Sequence, residues 1–387
     1  MVKNIHKYKE IVIFEDNRRT MTLTKLQYQV LKYNLLGMNV DEIIDRLGLG
    51  HGLDDIKYDI VRKNIEGLIL DCKEKNLSFD KNVRESGEFS KEYPKCITIE
   101  LTDFCNFHCS HCYKDASDEN NVFLGYEELD DLLEIMDKKC GIVHFTGGEP
   151  FTYKGLDRII EKYATEYLIN ITSNGSLINS ISIPIFKKIN NIQVSIYGRN
   201  EQIYREITGK SGMFDRVISN LAMLRENDIS FTIGINFCKD LCMHTTEYVK
   251  LLDSLNAKYV IFGEVGNNGR GKDNEFWKIE KETLKRCKKI ISKKMNTPNN
   301  VSIMQQKEID SKHECTAGTL ELSVSETGKL LFCNMLDHNF FEIGECQKIM
   351  DYCESTDKKE LFENRILSYK KMCNCNKDIC PRLDCNE

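Results

Sequence analysis

Between residues 96 and 265 the chain alternates short apolar, β-branched runs with longer stretches of helical period. The runs are CITIEL (96–101), GIVHF (141–145), YLINIT (167–172), NIQVSI (191–196), FTIGINF (231–237) and KYVIFGEV (258–265). Stretches such as YEELDDLLEIMDKK and FDRVISNLAMLREN separate them. Strand and helix in alternation predict an α/β fold on a parallel sheet or barrel. Six strands are too few for a closed eight-stranded barrel, so a partial barrel is expected. Chemistry in such folds sits at the carboxyl ends of the strands.

Residues 1–90 follow another pattern. IVIF (11–14) and TMTL (20–23) read as strands around a turn, EDNRR. Three helices are then predicted, the first with Leu26, Val30 and Tyr33 on one face. The second carries Val40, Ile43, Ile44 and Leu47, with Asn39 as N-cap and Glu42 three residues on. The third places Ile56, Ile60, Ile65 and Leu68 at helical spacing. Polar DKNVRESGEFSKEYP (80–94) reads as a linker. Beyond the barrel, residues 266–312 are polar and lysine-rich, with a helix expected across EFWKIEKETLKRCKKIISKKM. The tail is broken by glycine and cysteine and is too polar for a sizeable core, so it needs staples such as metal clusters. The expected domains are 1–90, 95–300 and 301–387.

Composition narrows the function. The chain has 387 residues, 29% of them charged, and a net charge of -6. No chain-wide basic surface exists to hold nucleic acid. Residues 1–90 carry 15 Lys/Arg and 15 Asp/Glu, which counts against DNA binding there, since that needs local positive charge. The opening MVKNIHKYKEIVIFED has no apolar signal core, and no run of 18 apolar residues occurs. A cytoplasmic setting is expected, and there 17 cysteines suggest metal binding rather than disulfides. They fall into a triplet at 105, 109 and 112, eight from 315 onwards, and six scattered.

Cys105-x3-Cys109-x2-Cys112 follows the first barrel strand at once. Three soft thiolates suit an iron–sulfur cluster with one iron left open. A zinc site completed by His108 or His111 is the plainer alternative. Thr146-Gly147-Gly148-Glu149-Pro150 follows the second strand and Ser173-Asn174-Gly175 the third, while Ser195 lies in the fourth. This series in register resembles the radical S-adenosylmethionine (SAM) superfamily. The resemblance implies a partial (β/α)6 TIM-like barrel with a [4Fe–4S] cluster on Cys105, Cys109 and Cys112. It further implies SAM held by Gly147, Gly148, Glu149, Asn174 and Ser195, with Arg205 as a further carboxylate partner. Reductive cleavage of SAM would give a 5′-deoxyadenosyl radical that abstracts a substrate hydrogen.

Cys315, Gly328 and Cys333, then Cys373-Asn-Cys375-x4-Cys380-x4-Cys385, resemble the SPASM/twitch extension, with Cys346 and Cys353 as further candidates. This implies one or two auxiliary [4Fe–4S] clusters; a zinc ribbon is the alternative. In this context residues 1–90 resemble a RiPP recognition element, a winged-helix-like domain that binds a leader peptide as an added strand. The expected activity is therefore maturation of a ribosomally made precursor peptide, with a flavodoxin or ferredoxin as reductant and neither nucleic acid nor membrane as partner. Thioether formation from a substrate cysteine is the first reading. Cα epimerisation, with Cys238 or Cys242 as hydrogen donor, and carbon–carbon crosslinking are alternatives. An iron–sulfur redox-sensing DNA-binding regulator is an alternative of another class.

Overall fold

The computed structural model describes residues 2–15, 20–74, 79–180, 182–266, 268–272, 274–296, 301–303, 316–335, 341–358, 360, 361, 363–365 and 368. It divides into two compact units, residues 1–95 with 137–141, and the remainder.

The first unit has a four-stranded sheet under three helices. Its strands are β1 (Val2–Lys9), β2 (Ile11–Glu15), β3 (Thr20–Thr24) and β4 (Phe79–Phe89), in the order β3-β2-β1-β4. β1 runs antiparallel to β2 and parallel to β4. Much of the expected linker 80–94 is thus strand. The pattern concealed β1 and β4, and for β1 the reason is physical: it buries Asn4 and His6 where a half-covered strand ordinarily places apolar residues. His6 lies between Ser86 Oγ (3.0 Å) and the Tyr93 carbonyl (2.9 Å). Burial pushes its pKa down to about 4, so it packs neutral.

α1 (Lys25–Leu35) and α2 (Val40–Arg46) both start on reciprocal capping boxes. Asn39 Oδ1 accepts from Glu42 N (3.0 Å), and Glu42 Oε2 accepts from Asn39 N (2.8 Å). Such a cap contributes about 1 kcal/mol. Val12, Phe14, Val30, Leu31, Ile43, Ile44 and Ile65 form the core with residues of α3 (Asp55–Glu74). The predicted stripes are only partly used: Leu26, Ile56 and Ile60 are exposed.

The second unit is a parallel barrel sheet. Its strands are β5 (Cys96–Glu100), β6 (Ile142–Thr146), β7 (Leu168–Ser173), β8 (Asn191–Ser195), β9 (Phe231–Asn236) and β10 (Tyr259–Gly263). They hydrogen-bond in sequence order, as a partial (β/α)6 barrel requires. The sheet also extends beyond the six expected strands. β11 (Val301–Ile303), too short to read within its polar surroundings, pairs parallel with β10. β12 (Glu321–Val324) pairs parallel with β5 and leads into β13 (Lys329–Leu331) and β14 (Glu342–Glu345).

α4 (Tyr126–Ile135), α5 (Leu156–Tyr163), α6 (Ile183–Phe186), α7 (Glu201–Thr208), α8 (Met213–Glu226), α9 (Lys239–Met243), α10 (Thr245–Leu255) and α11 (Lys281–Lys294) connect the strands. α11 begins six residues later than the sequence suggested. EFWKI lies outside the helix because Phe276 and Trp277 are committed to other contacts, described below. Among the described residues no helix is long and apolar enough to cross a membrane.

Candidate active site

β5 ends in a long loop that carries the cysteine triplet. The loop is laced to itself: Cys105 N donates to Ser117 O (2.9 Å) and Leu124 N to Leu101 O (3.0 Å). The end of α7 also holds it, where the Thr208 and Ile207 carbonyls accept from His108 N (2.9 Å) and Ser110 N (2.8 Å). Cys105 and Cys109 are buried and Cys112 is half-buried. Burial pushes the Cys105 thiol up to about 12, with the charges of Glu149 and Cys112 adding to it. Cys109 is pushed well up by burial and by its two sister cysteines.

The loop after β6 explains its glycines. Gly148 N donates to Thr102 O (2.7 Å) and Glu149 N to Phe104 O (2.9 Å). A Cβ on Gly148 would lie 2.0 Å from Phe104 O, and one on Gly147 (φ +123°) 2.5 Å from Thr102 O. Here the glycines first permit close packing of one loop backbone on another.

Glu149 is fully buried. Its Oε1 accepts from Ser173 Oγ (2.8 Å) and Phe151 N (3.1 Å), and its Oε2 from Asn174 N (2.8 Å). The carboxylate therefore staples the β6 and β7 loops together. Desolvation pushes its pKa up to about 7 against these three donors. Among the described residues it forms no ion pair.

The Asn174 amide donates to Asn106 Oδ1 (2.8 Å) and reaches Cys105 Sγ (3.8 Å). Its Oδ1 accepts from Ser176 N and Oγ (2.9 and 2.7 Å). Asn174 thus braces the cysteine loop. Ser195, at the end of β8, hydrogen-bonds Tyr197, whose hydroxyl in turn bonds Cys109. Tyr197 packs against Phe107, Tyr204 and His111 at ring separations of 5.4–5.9 Å. The structure thus brings the triplet, Gly147–Glu149, Asn174 and Ser195 together. Arg205 lies on the exposed side of α7 and makes no ion pair among the described residues.

The residues suit the group the motifs imply. The three thiols are soft donors on one loop. Among the described residues, no three His, Cys, Asp or Glu side chains converge on a single metal ion. Beside the loop, the hydroxyl of buried Tyr204 and Nδ1 of His111 lack hydrogen-bond partners among the described residues. Glu149, a buried carboxylate without a cation, suits an amine ligand.

Of the eight later cysteines, Cys315, Cys373, Cys375, Cys380 and Cys385 lie outside the described residues. Cys333 follows β13. Cys346 is buried with its thiol 3.5 Å from Glu128 Oε1. Cys353 is buried on a short helix, Ile349–Glu354. Gly328 needs its hydrogen: its φ is +74°, and a Cβ would meet Glu128.

Cys238 caps α9, accepting from Leu241 N (3.4 Å), and the Cys242 thiol bonds Cys287. Burial pushes Cys238 up to about 11. Sequence reasoning passed over Glu100, Tyr113, Lys114 and Arg270. Only the odd placement of ionisable residues beside a strand end and a cysteine motif signalled them.

A partial barrel with a three-cysteine loop at the end of its first strand and a Gly-Gly-Glu loop at its second is the arrangement that the radical SAM resemblance implies. Residues 99–251 match the family model of the Radical SAM superfamily; this stretch is a radical SAM domain, and the family implies SAM and a [4Fe–4S] cluster. The chain is 24% identical over 279 residues to a probable GTP 3′,8-cyclase of Methanocaldococcus jannaschii, spanning 66% of this chain and 90% of that one. It is 22% identical over 191 residues to AlbA of Bacillus subtilis, the antilisterial bacteriocin subtilosin biosynthesis protein, covering 48% of this chain and 43% of AlbA. In fold it is similar to Streptococcus suis SuiB bound to SAM, with a TM-score of 0.65, 16% identity, and 97% and 92% of the two chains covered.

Proposed function

We propose that this enzyme matures a ribosomally made precursor peptide, forming a thioether between a substrate cysteine and a neighbouring carbon. The likeness to SuiB supports the peptide part of this reading, because it spans 97% of the chain and so takes in the N-terminal sheet as well as the barrel; the thioether remains the first of the chemical alternatives. A SuiB structure similar to this chain (TM-score 0.59) is bound to its precursor peptide SuiA. The leader would add to edge strand β3, which pairs only with β2 among the described strands. In this reading, residues 1–90 bind the leader, 95–300 carry the chemistry and 301–387 hold auxiliary clusters on the eight cysteines from Cys315 to Cys385. The setting is cytoplasmic, with a flavodoxin or ferredoxin as reductant.

SAM and the reduced cluster, when bound, supply a 5′-deoxyadenosyl radical that removes a hydrogen atom from the peptide. The chain's residues hold the reactants. Cys105, Cys109 and Cys112 would anchor the cluster, and Glu149 would accept from the methionyl amine beside Gly147 and Gly148. Ser195 would contact the SAM carboxylate or ribose, while Asn174 holds the cysteine loop in place. For epimerisation, Cys238 and Cys242 are in the protonated form that a hydrogen donor needs.

Glu149 gives a pH prediction. Its raised pKa means it is largely neutral below about 7. Its ionised form is the better acceptor, so SAM affinity should rise with pH and level off above neutrality. Below pH 7 the change should approach about tenfold per unit. SAM titrations of the reconstituted protein over about 1.5 pH units either side of that value should show this step in the parent and not in Glu149→Gln. Identical profiles would remove Glu149 from the site.

The peptide reading is tested by mass spectrometry with thiol alkylation. A thioether leaves the peptide two hydrogens lighter with one fewer alkylatable thiol. Unchanged mass with solvent deuterium uptake would instead establish epimerisation; two hydrogens lost with every thiol intact would establish a carbon–carbon crosslink. Removing residues 1–95 should weaken peptide binding by about tenfold or more while SAM cleavage persists. Unaltered peptide affinity would overturn the leader-binding role.

A further inference from the structure

We propose that Arg270 is a positioning residue for the cysteine loop, and that Trp277 closes the loop's outer side. Both belong to the segment between β10 and α11. The guanidinium donates to the carbonyls of Cys109 (Nε, 2.8 Å) and Ala116 (2.6 Å). The Arg270 N–H donates to the Cys112 carbonyl (3.0 Å), and Asn274 Nδ2 to that of Ser110 (3.3 Å). Two of these four carbonyls belong to cluster-ligand positions.

The segment lies directly on the loop. A Cβ on Gly269 (φ +54°) would stand 2.1 Å from Cys112 O. Trp277 packs on His111, with ring centroids 4.4 Å apart, between the second and third cysteines. The far end is tied down where Lys239 N donates to Phe276 O (3.3 Å).

The physical consequence concerns the cluster's surroundings. The loop has little regular structure to fix its carbonyls. The Arg270 side chain holds two of them, those of Cys109 and Ala116, with a planar, divergent set of donors that lysine cannot reproduce, while its backbone N–H holds that of Cys112. It also brings a fixed positive charge beside Cys109. A reduced cluster is more negative than an oxidised one, so a nearby cation favours reduction and raises the potential. Trp277 over His111 limits access of water and oxygen from that side.

The experiment uses the full chain, anaerobically reconstituted, as parent, Arg270→Gln and Arg270→Lys. The inference rests on the triplet as cluster ligands, and a SAM-perturbed EPR signal in the parent tests that assignment separately. The midpoint potential of that signal is expected to fall in Arg270→Gln and to stay near the parent's in Arg270→Lys. Both variants should lose the cluster in air several-fold faster. Trp277 is the chain's only tryptophan, and iron–sulfur clusters absorb where tryptophan emits. Its fluorescence should be quenched on reconstitution in the parent and several-fold less in Arg270→Gln. Parent-like potential, air stability and quenching in Arg270→Gln would overturn the proposal. Arg270→Lys with parent-like air stability would likewise overturn the positioning role, even if Arg270→Gln does not load iron.

Discussion

Replacing Lys114 by methionine is expected to destabilise the barrel unit by about 3–5 kcal/mol, the usual result of leaving a buried charge without its partner. Glu100, at the end of β5, is completely buried. Its Oε2 accepts from Lys114 Nζ at 2.8 Å and its Oε1 from the Tyr113 hydroxyl at 2.9 Å. Lys114 also pairs with Glu326, in the turn between β12 and β13. Lys114 is 5% exposed and Glu326 13%, so water gives little compensation when the ammonium is removed. Asn334 completes the link by donating to Tyr113 (3.3 Å).

Because Lys114 stands two residues after Cys112, the same change should loosen the cysteine loop. Thermal melting should shift down by about 10 °C or more. Lys114→Met with Glu100→Gln should recover part of the loss, since the orphaned charge goes with its partner. A single variant melting with the parent would show that Glu100 is not held as an unsolvated charge.

Gly148→Ala should be comparably severe and should act through the cluster. Its methyl group would sit 2.0 Å from a backbone oxygen, which no side-chain rotation relieves, so the two loops must separate at a cost of about 3 kcal/mol or more. Separation breaks the bonds from Gly148 N and Glu149 N to the cysteine loop. Reconstituted Gly148→Ala should hold substoichiometric triplet-cluster iron and cleave SAM at a small fraction of the parent rate. Gly67→Ala is a useful control: it lies in α3 with nothing within 4 Å of the added methyl and should be neutral or stabilising by up to about 1 kcal/mol. A Gly148→Ala protein with full iron content and parent turnover would contradict the loop contact.

The barrel was legible because its strands read as short runs rich in β-branched apolar residues, one face fully buried, in regular alternation with helices. The triplet was legible because its chemistry depends on residue type and spacing. What stayed hidden depends on tertiary partners. β1 disguises itself with buried Asn4 and His6, and β4 shows only Phe79, Val83 and Phe89 as apolar signals amid polar residues. The segment EFWKI has the composition of a helix start, yet Trp277 gains more by packing on His111. Ile56 and Ile60 repeat at helical spacing without being covered by the core of their unit.

The site shows the same division. The identities of Glu149 and Asn174 were readable, but their hydrogen bonds were not. Both brace the loops, a role that no spacing rule reveals. Arg270 sits in a polar stretch that looked like a connector, and only the fold brings it to carbonyls more than 150 residues away.

The central claim is that Cys105, Cys109 and Cys112 hold a cluster that cleaves SAM. The direct measurement is release of 5′-deoxyadenosine by anaerobic, reduced protein given SAM, run beside Cys109→Ala. The account predicts release by the parent and none by the variant. Absence of 5′-deoxyadenosine from a parent whose triplet cluster is confirmed by spectroscopy, or undiminished release by Cys109→Ala, would contradict it.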